Sequence, residues 1–147
     1  MTAILLFLST IFSGNGEIGK ASIFSIYGDK YNPSNKPLAC EQRIIKNRGI
    51  RYWNKILSYG VAHRTIPCGT KITIYSVYRK RIIYSHAYVV DRGPYGVLSN
   101  RKWVLRRKLR WGEKYRGVID VLSPLAKRLK LNGMSYVLIK SPLEMKK

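Results

Sequence analysis

The stretch TKITIYSVYRKRIIYSHAYVV, Thr70 to Val90, decides the fold class. From Lys71 to Val77 the side chains alternate with a period of two, which sends neighbours to opposite faces of a strand. Arg79-Lys80 reads as a basic turn and Arg81 to Val90 as the returning strand, so the whole stretch is expected to form a hairpin. Working outward, Ala21 to Tyr27 alternates and reads as a strand ending at Gly28, followed by a turn-rich segment from Asp29 to Pro37. Gly117 to Val121 reads as a short buried strand and Ser135 to Lys140 as the last one. Between them Ser123-Pro124 is expected to open a helix, with Ser123 as N-cap and Pro124 at the first helical position. Leu125, Ala126 and Leu129 form its apolar face, and Asn132-Gly133 supplies a left-handed stop. Ile44 to Ser58 is basic, mixed in pattern and unassigned. No internal repeat or low-complexity tract is present. Open sheet edges invite pairing with other chains and closure removes them. The expectation is therefore a mainly β protein, a small closed barrel with one or two short helices.

Composition narrows the class. A chain of 147 residues with 46% hydrophobic content fits one domain with a genuine core, and the low hydrophobicity of disordered chains is absent. Net charge is +21, from 28 Lys and Arg against 7 Asp and Glu. Such a field favours polyanionic partners: nucleic acid, an anionic membrane, an anionic cell envelope or an acidic soluble substrate. Ala3 to Phe12 is almost wholly apolar and is broken by Ser13-Gly14-Asn15-Gly16. That run is too short to span a bilayer and suits the apolar region of a secretory signal, although no Lys or Arg precedes Lys20. A buried first strand is the competing reading. The expected organisation is a leader over residues 1–18, one domain over 19–142 with a basic insertion at 97–116, and a polar tail at 143–147. No other apolar run is long enough for a transmembrane helix.

Cys40 and Cys68 make an even count outside the leader, which fits one disulfide in an oxidising compartment. Closing that loop would contribute roughly 3 to 4 kcal/mol in the chain-entropy picture. Two separate buried thiols are the other reading. Zinc is not expected, because no Cys-x-x-Cys spacing exists and His63 and His86 are not arranged as structural ligands.

Chemistry concentrates in two segments that flank the hairpin. Val61-Ala62-His63-Arg64-Thr65-Ile66-Pro67-Cys68-Gly69-Thr70 carries one of 2 histidines, and Val89-Val90-Asp91-Arg92-Gly93-Pro94-Tyr95-Gly96 carries one of 7 acids. Together with Val118-Ile119-Asp120-Val121-Leu122-Ser123-Pro124-Leu125-Ala126, and in this order, they resemble the rare lipoprotein A group of double-psi β-barrels, related to the barwin and expansin domains. Leu38-Ala39-Cys40 with Cys68 resembles its disulfide-bearing branch. The resemblance covers roughly residues 21–140, with clear motifs after Gly60. It implies a six-stranded double-psi β-barrel and an endolytic peptidoglycan lytic transglycosylase. It also implies that Asp91 is the catalytic carboxylate and His63 the motif histidine. Family members often carry two further carboxylates in a Gly-Glu-x-Tyr-Asp-like stretch before the histidine motif. Here Gly49-Ile50-Arg51-Tyr52-Trp53-Asn54-Lys55 has none.

A single carboxylate can serve this reaction. Hydrolytic glycosidases use two because water or a covalent intermediate must be handled. A lytic transglycosylase uses the substrate's own C6 hydroxyl as nucleophile, so one group can protonate the leaving oxygen and then assist deprotonation. Burial would favour the protonated acid, and Arg64 or Arg92 close by would oppose it. Arg64, Thr65, Arg92, Tyr95 and Tyr27 are the candidate substrate-binding residues. Tyr88, Trp53 and Trp103 are further aromatic faces on which a sugar can stack. Each has a plainer reading: Asp91 as a turn cap, His63 as a satisfied structural histidine, and the aromatic residues as core. Asp120 suits a structural ion pair across the barrel, Glu41 is a candidate replacement acid, and His86 a mid-strand residue of no special role. No cofactor is expected. The expected partner is peptidoglycan glycan or another anionic envelope polymer, with the protein a monomer, exported or wall-associated, or phage-derived and acting on that envelope. An expansin-like wall binder that does not cut is the alternative. A nucleic-acid binder acting through Val97 to Arg116, where basic residues flank Trp103 and Trp111, is a third reading.

Overall fold

The computed structural model describes residues 16–25, 37–93, 96–99, 102–105, 117–133 and 135–142. Its strands are β1 (Glu17–Phe24), β2 (Gly60–Ala62), β3 (Lys71–Tyr78), β4 (Arg81–Asp91), β5 (Gly96–Ser99), β6 (Lys102–Leu105), β7 (Gly117–Leu122) and β8 (Tyr136–Lys140). Six of them close into a barrel in the order β1-β7-β2-β4-β3-β8, and β5 and β6 form a separate two-stranded sheet. The molecule is thus mainly β, as the alternation and the edge argument required.

The hairpin lies where the sequence placed it. β3 and β4 pair antiparallel from Lys71↔Tyr88 to Tyr78↔Arg81 around the Arg79-Lys80 turn. The face carrying Ile72, Ile74, Ala87 and Val89 is buried. Ser76 shares that face, and its hydroxyl is satisfied by donating to the Leu129 carbonyl at 2.7 Å. Two pairings are parallel, β1 with β7 and β2 with β4. They meet at the antiparallel β2–β7 contact, and β8 closes the ring antiparallel to both β1 and β3. β2 is only three residues long, yet it is buried throughout and bonded on both sides.

Three expectations change. β1 begins at Glu17, so Glu17 and Ile18 belong to the barrel; residues 1–15 of the expected leader lie outside the described residues. The unassigned stretch forms two helices, α1 (Glu41–Arg48) and α2 (Ile50–Leu57), separated by Gly49 at φ 89°. Each helix spans barely two turns, which leaves the 3.6-residue period too short to read, and burial of Ile44, Trp53 and Ile56 against the barrel stabilises them instead. With α3 (Ser123–Arg128), three short helices stand among the described residues, one more than expected. Finally, Ser123 does not cap α3. Leu122 occupies the N-cap, while the Ser123 hydroxyl donates to the Phe24 carbonyl of β1 at 3.0 Å. The left-handed stop comes early, at Lys130 (φ 55°), with Gly133 (φ 84°) serving the loop beyond.

Cys40 and Cys68 are joined, with Cα atoms 5.5 Å apart. The bond fastens the start of α1 to the loop after β2. No helix among the described residues is long and apolar enough to cross a membrane.

Candidate active site

The site is built where β2 and β4 end side by side. Their parallel pairing runs Gly60↔Tyr88 and Val61↔Val89, then shifts so that Ala62 lies opposite Asp91. That irregularity places an extra residue, Val90, on β4, and bulges of this kind re-aim the side chains that follow. The next residue completes the junction: the His63 N–H donates to the Asp91 carbonyl at 3.1 Å. Residues 28 positions apart in sequence, one from each motif, are therefore backbone neighbours at one end of the barrel.

Their side chains point to different partners. Asp91 Oδ1 accepts the Ala39 N–H at 2.7 Å, and one residue on the Cys40 N–H donates to the Val90 carbonyl at 3.2 Å. The end of β4 is thus stitched to the segment leading into α1, alongside the disulfide. The His63 ring is 4% exposed and its Nε2 lies 2.9 Å from Glu17 Oε2, in a side chain 33% exposed. His63 Nδ1 accepts two backbone N–H groups, those of Thr65 and Ile66, both at 3.1 Å. Two donors aimed at Nδ1 identify it as the acceptor nitrogen, so the proton sits on Nε2 and is donated to Glu17.

The loop after His63 is satisfied from both sides. Its N–H groups meet the imidazole, and its carbonyls meet Arg92: the guanidinium donates through Nη1 to the carbonyls of His63, at 3.1 Å, and of Ile66, and through Nη2 to Cys68 Sγ at 3.4 Å. This is the accounting that an irregular segment over a barrel end requires, since its backbone groups have no ladder partner. Gly93, at φ 143°, then lets the chain turn away directly behind Arg92.

The expected site residues divide accordingly. His63 and Asp91 are brought together through the backbone and Cys40 and Cys68 are bonded, whereas Arg92 holds the loop, with its guanidinium directed at carbonyls. Arg64 donates to the Gly117 carbonyl at 2.9 Å, tying the same loop to the start of β7. Thr65 is exposed at the loop's apex. Tyr27 and Tyr95 lie outside the described residues. Trp53 is a core residue of α2, so it offers no face to a sugar; Tyr88 is partly exposed on β4, and its N–H donates to the Tyr59 carbonyl. Asp120 stands opposite Ala62 on β7, across from Asp91, and is partly exposed. Glu41 sits in the first turn of α1, where an acid complements the helix dipole. His86 meets Thr73 on the open face of the hairpin at 3.3 Å.

Glu17 is the site residue that the sequence reading missed. Its signal was its rarity, as one of 7 acids. It falls within residues 1–18, the stretch that reads as a leader, and no local pattern connects it to a histidine 46 positions away.

The chain matches no protein-family model and no curated protein.

Proposed function

We propose that this protein is an endolytic lytic transglycosylase that cleaves peptidoglycan glycan strands, with Asp91 as the acid. The observation that carries the reading is the hydrogen bond from the His63 N–H to the Asp91 carbonyl at 3.1 Å, which joins the two motifs at one end of a closed six-stranded barrel. The two parallel strand pairs within the barrel support the double-psi likeness, and the Cys40–Cys68 bond supports its disulfide-bearing branch. The chemistry is open to Asp91 because, among the described residues, one of its oxygens is engaged: with Oδ1 accepting from Ala39, Oδ2 is the oxygen that would deliver a proton to a leaving glycosidic oxygen. A charge of +21 would hold the protein on an anionic wall.

The test is incubation of the full chain with glycan strands stripped of their peptides. Release of 1,6-anhydro-ended fragments that disappears in Asp91→Asn supports the reading. Asn retains an oxygen to accept the Ala39 N–H, so the comparison separates chemistry from folding.

One observation favours a second reading, an expansin-like wall binder that does not cut. The 2.7 Å bond to Ala39 gives Asp91 a structural task of its own, anchoring the approach to α1. Retention on glycan with no fragment released, in wild type and Asp91→Asn alike, is its signature.

A further inference from the structure

Glu17 is a carboxylate at this site to which the reading above gives no task. It reaches from β1 to His63, the residue whose N–H is bonded to the Asp91 carbonyl. The imidazole cannot itself act on a ligand: it is buried, its Nδ1 is occupied by two backbone N–H groups, and its Nε2 proton is given to Glu17. Glu17 differs in both respects. A third of its side chain is exposed, and among the described residues its hydrogen bond to His63 engages a single oxygen, Oε2. A buried histidine that satisfies its own loop through one nitrogen and holds a half-open carboxylate through the other is arranged to aim that carboxylate.

We infer that Glu17 is the second catalytic residue, the base for the attacking hydroxyl, and that His63 is the positioning residue that holds it. The inference rests on the transglycosylase reading. Asp91 gives the proton on Oδ2 to the glycosidic oxygen as the bond from that oxygen to C1 breaks. The C6 hydroxyl oxygen of the same sugar forms the new bond to C1, and its proton passes to Glu17. One proton is given and one is taken, no water is consumed, and transfer through solvent from Glu17 to Asp91 restores the starting state. The absence of acids from Gly49 to Lys55 is then no obstacle, because β1 supplies a second carboxylate from another part of the chain.

The full chain and its Glu17→Gln, Glu17→Ala, His63→Gln and Asp91→Asn variants decide the matter, with peptide-free glycan strands as probe and anhydro-ended fragments as readout. Gln at position 17 keeps an oxygen for the His63 Nε2–H, so Glu17→Gln should melt with wild type and keep KM within about threefold while kcat falls about 100-fold or more. Glu17→Ala should recover about tenfold or more of its lost rate with added formate, a carboxylate small enough to enter the space left, as expected of a missing base. His63→Gln, which keeps a donor at similar reach, should lose about tenfold, less than Glu17→Gln. If Glu17→Gln keeps a wild-type kcat while Asp91→Asn is inactive, the role of Glu17 is overturned and the transglycosylase reading stands. If Glu17→Ala melts lower and formate restores nothing, Glu17 is structural and the inference falls. If wild type releases no anhydro-ended fragment, the reading itself falls and takes the inference with it.

Discussion

Asp91 is a fastener in the structure and, on the proposed reading, also the reagent. Its carbonyl accepts from His63 and its Oδ1 from Ala39, so it ties β2, β4 and the approach to α1 together. Replacing it with Asn preserves both contacts, and thermal unfolding should move by less than about 3 °C while glycan cleavage falls about 100-fold or more. Asp91→Ala removes the Ala39 acceptor and should cost about 1 to 2 kcal/mol by denaturant titration. Arg92 is governed by geometry instead. Its planar fork reaches the carbonyls of His63 and Ile66 through one nitrogen and Cys68 Sγ through the other. A lysine ammonium cannot span all three, so Arg92→Lys should destabilise the fold by about 2 kcal/mol. None of this was legible from the motif. In the sequence Asp91 reads as a turn cap and Arg92 as a candidate substrate contact. Only the folded loop reveals the carbonyls that require a donor there.

At the scale of elements, the β3–β4 turn places two ordinary residues in the left-handed region, Arg79 at φ 49° and Lys80 at φ 62°. Both central positions of a two-residue hairpin turn of this hand favour Asn and Gly, and an L side chain there costs about 1 kcal/mol. The double change Arg79→Asn with Lys80→Gly should therefore raise stability by about 1 kcal/mol without altering the barrel, as read by denaturant midpoint. β2 illustrates the opposite constraint. A Cβ on Gly60 would lie 2.7 Å from Leu122 Cδ1, 2.7 Å from Val90 Cγ2 and 2.9 Å from the Leu57 carbonyl. A backbone oxygen cannot step aside as a side chain can, so Gly60→Ala should destabilise by about 2 kcal/mol. The hairpin was readable because its alternation runs over many residues with a turn in the middle. α1 and α2 were not, because Gly49 splits them into segments of eight residues each, and tertiary contacts through Ile44, Trp53 and Ile56 supply what local periodicity lacks.

For the whole molecule, the disulfide and the net charge matter most. Cys40–Cys68 ties the helical pair to the site loop, and Cys40→Ala with Cys68→Ala should lower stability by about 3 kcal/mol, or roughly 10 °C in Tm. The loss should include glycan cleavage below the melting temperature, since Asp91 loses the partner segment that orients it. A chain of +21 should bind any polyanion at low salt. Retention on peptidoglycan should weaken steeply as salt rises, because exposed charges are screened over about 8 Å at physiological ionic strength.

The sequence by itself determined the β class, the hairpin, the two cysteines and the two motif segments. Each of those is written locally, in alternation, in turn residues or in short runs of rare side chains. What it could not determine is which residue faces which across the barrel. Closure brings β1 beside β7 and β8 and places Glu17 against His63, while the segment before α1 docks on the end of β4 and places Ala39 against Asp91. Those contacts join positions 46 and 52 residues apart. They follow from strand order and from the docking of the helical segment on the barrel, both set by burial of the whole core, and no single stretch of the chain carries them.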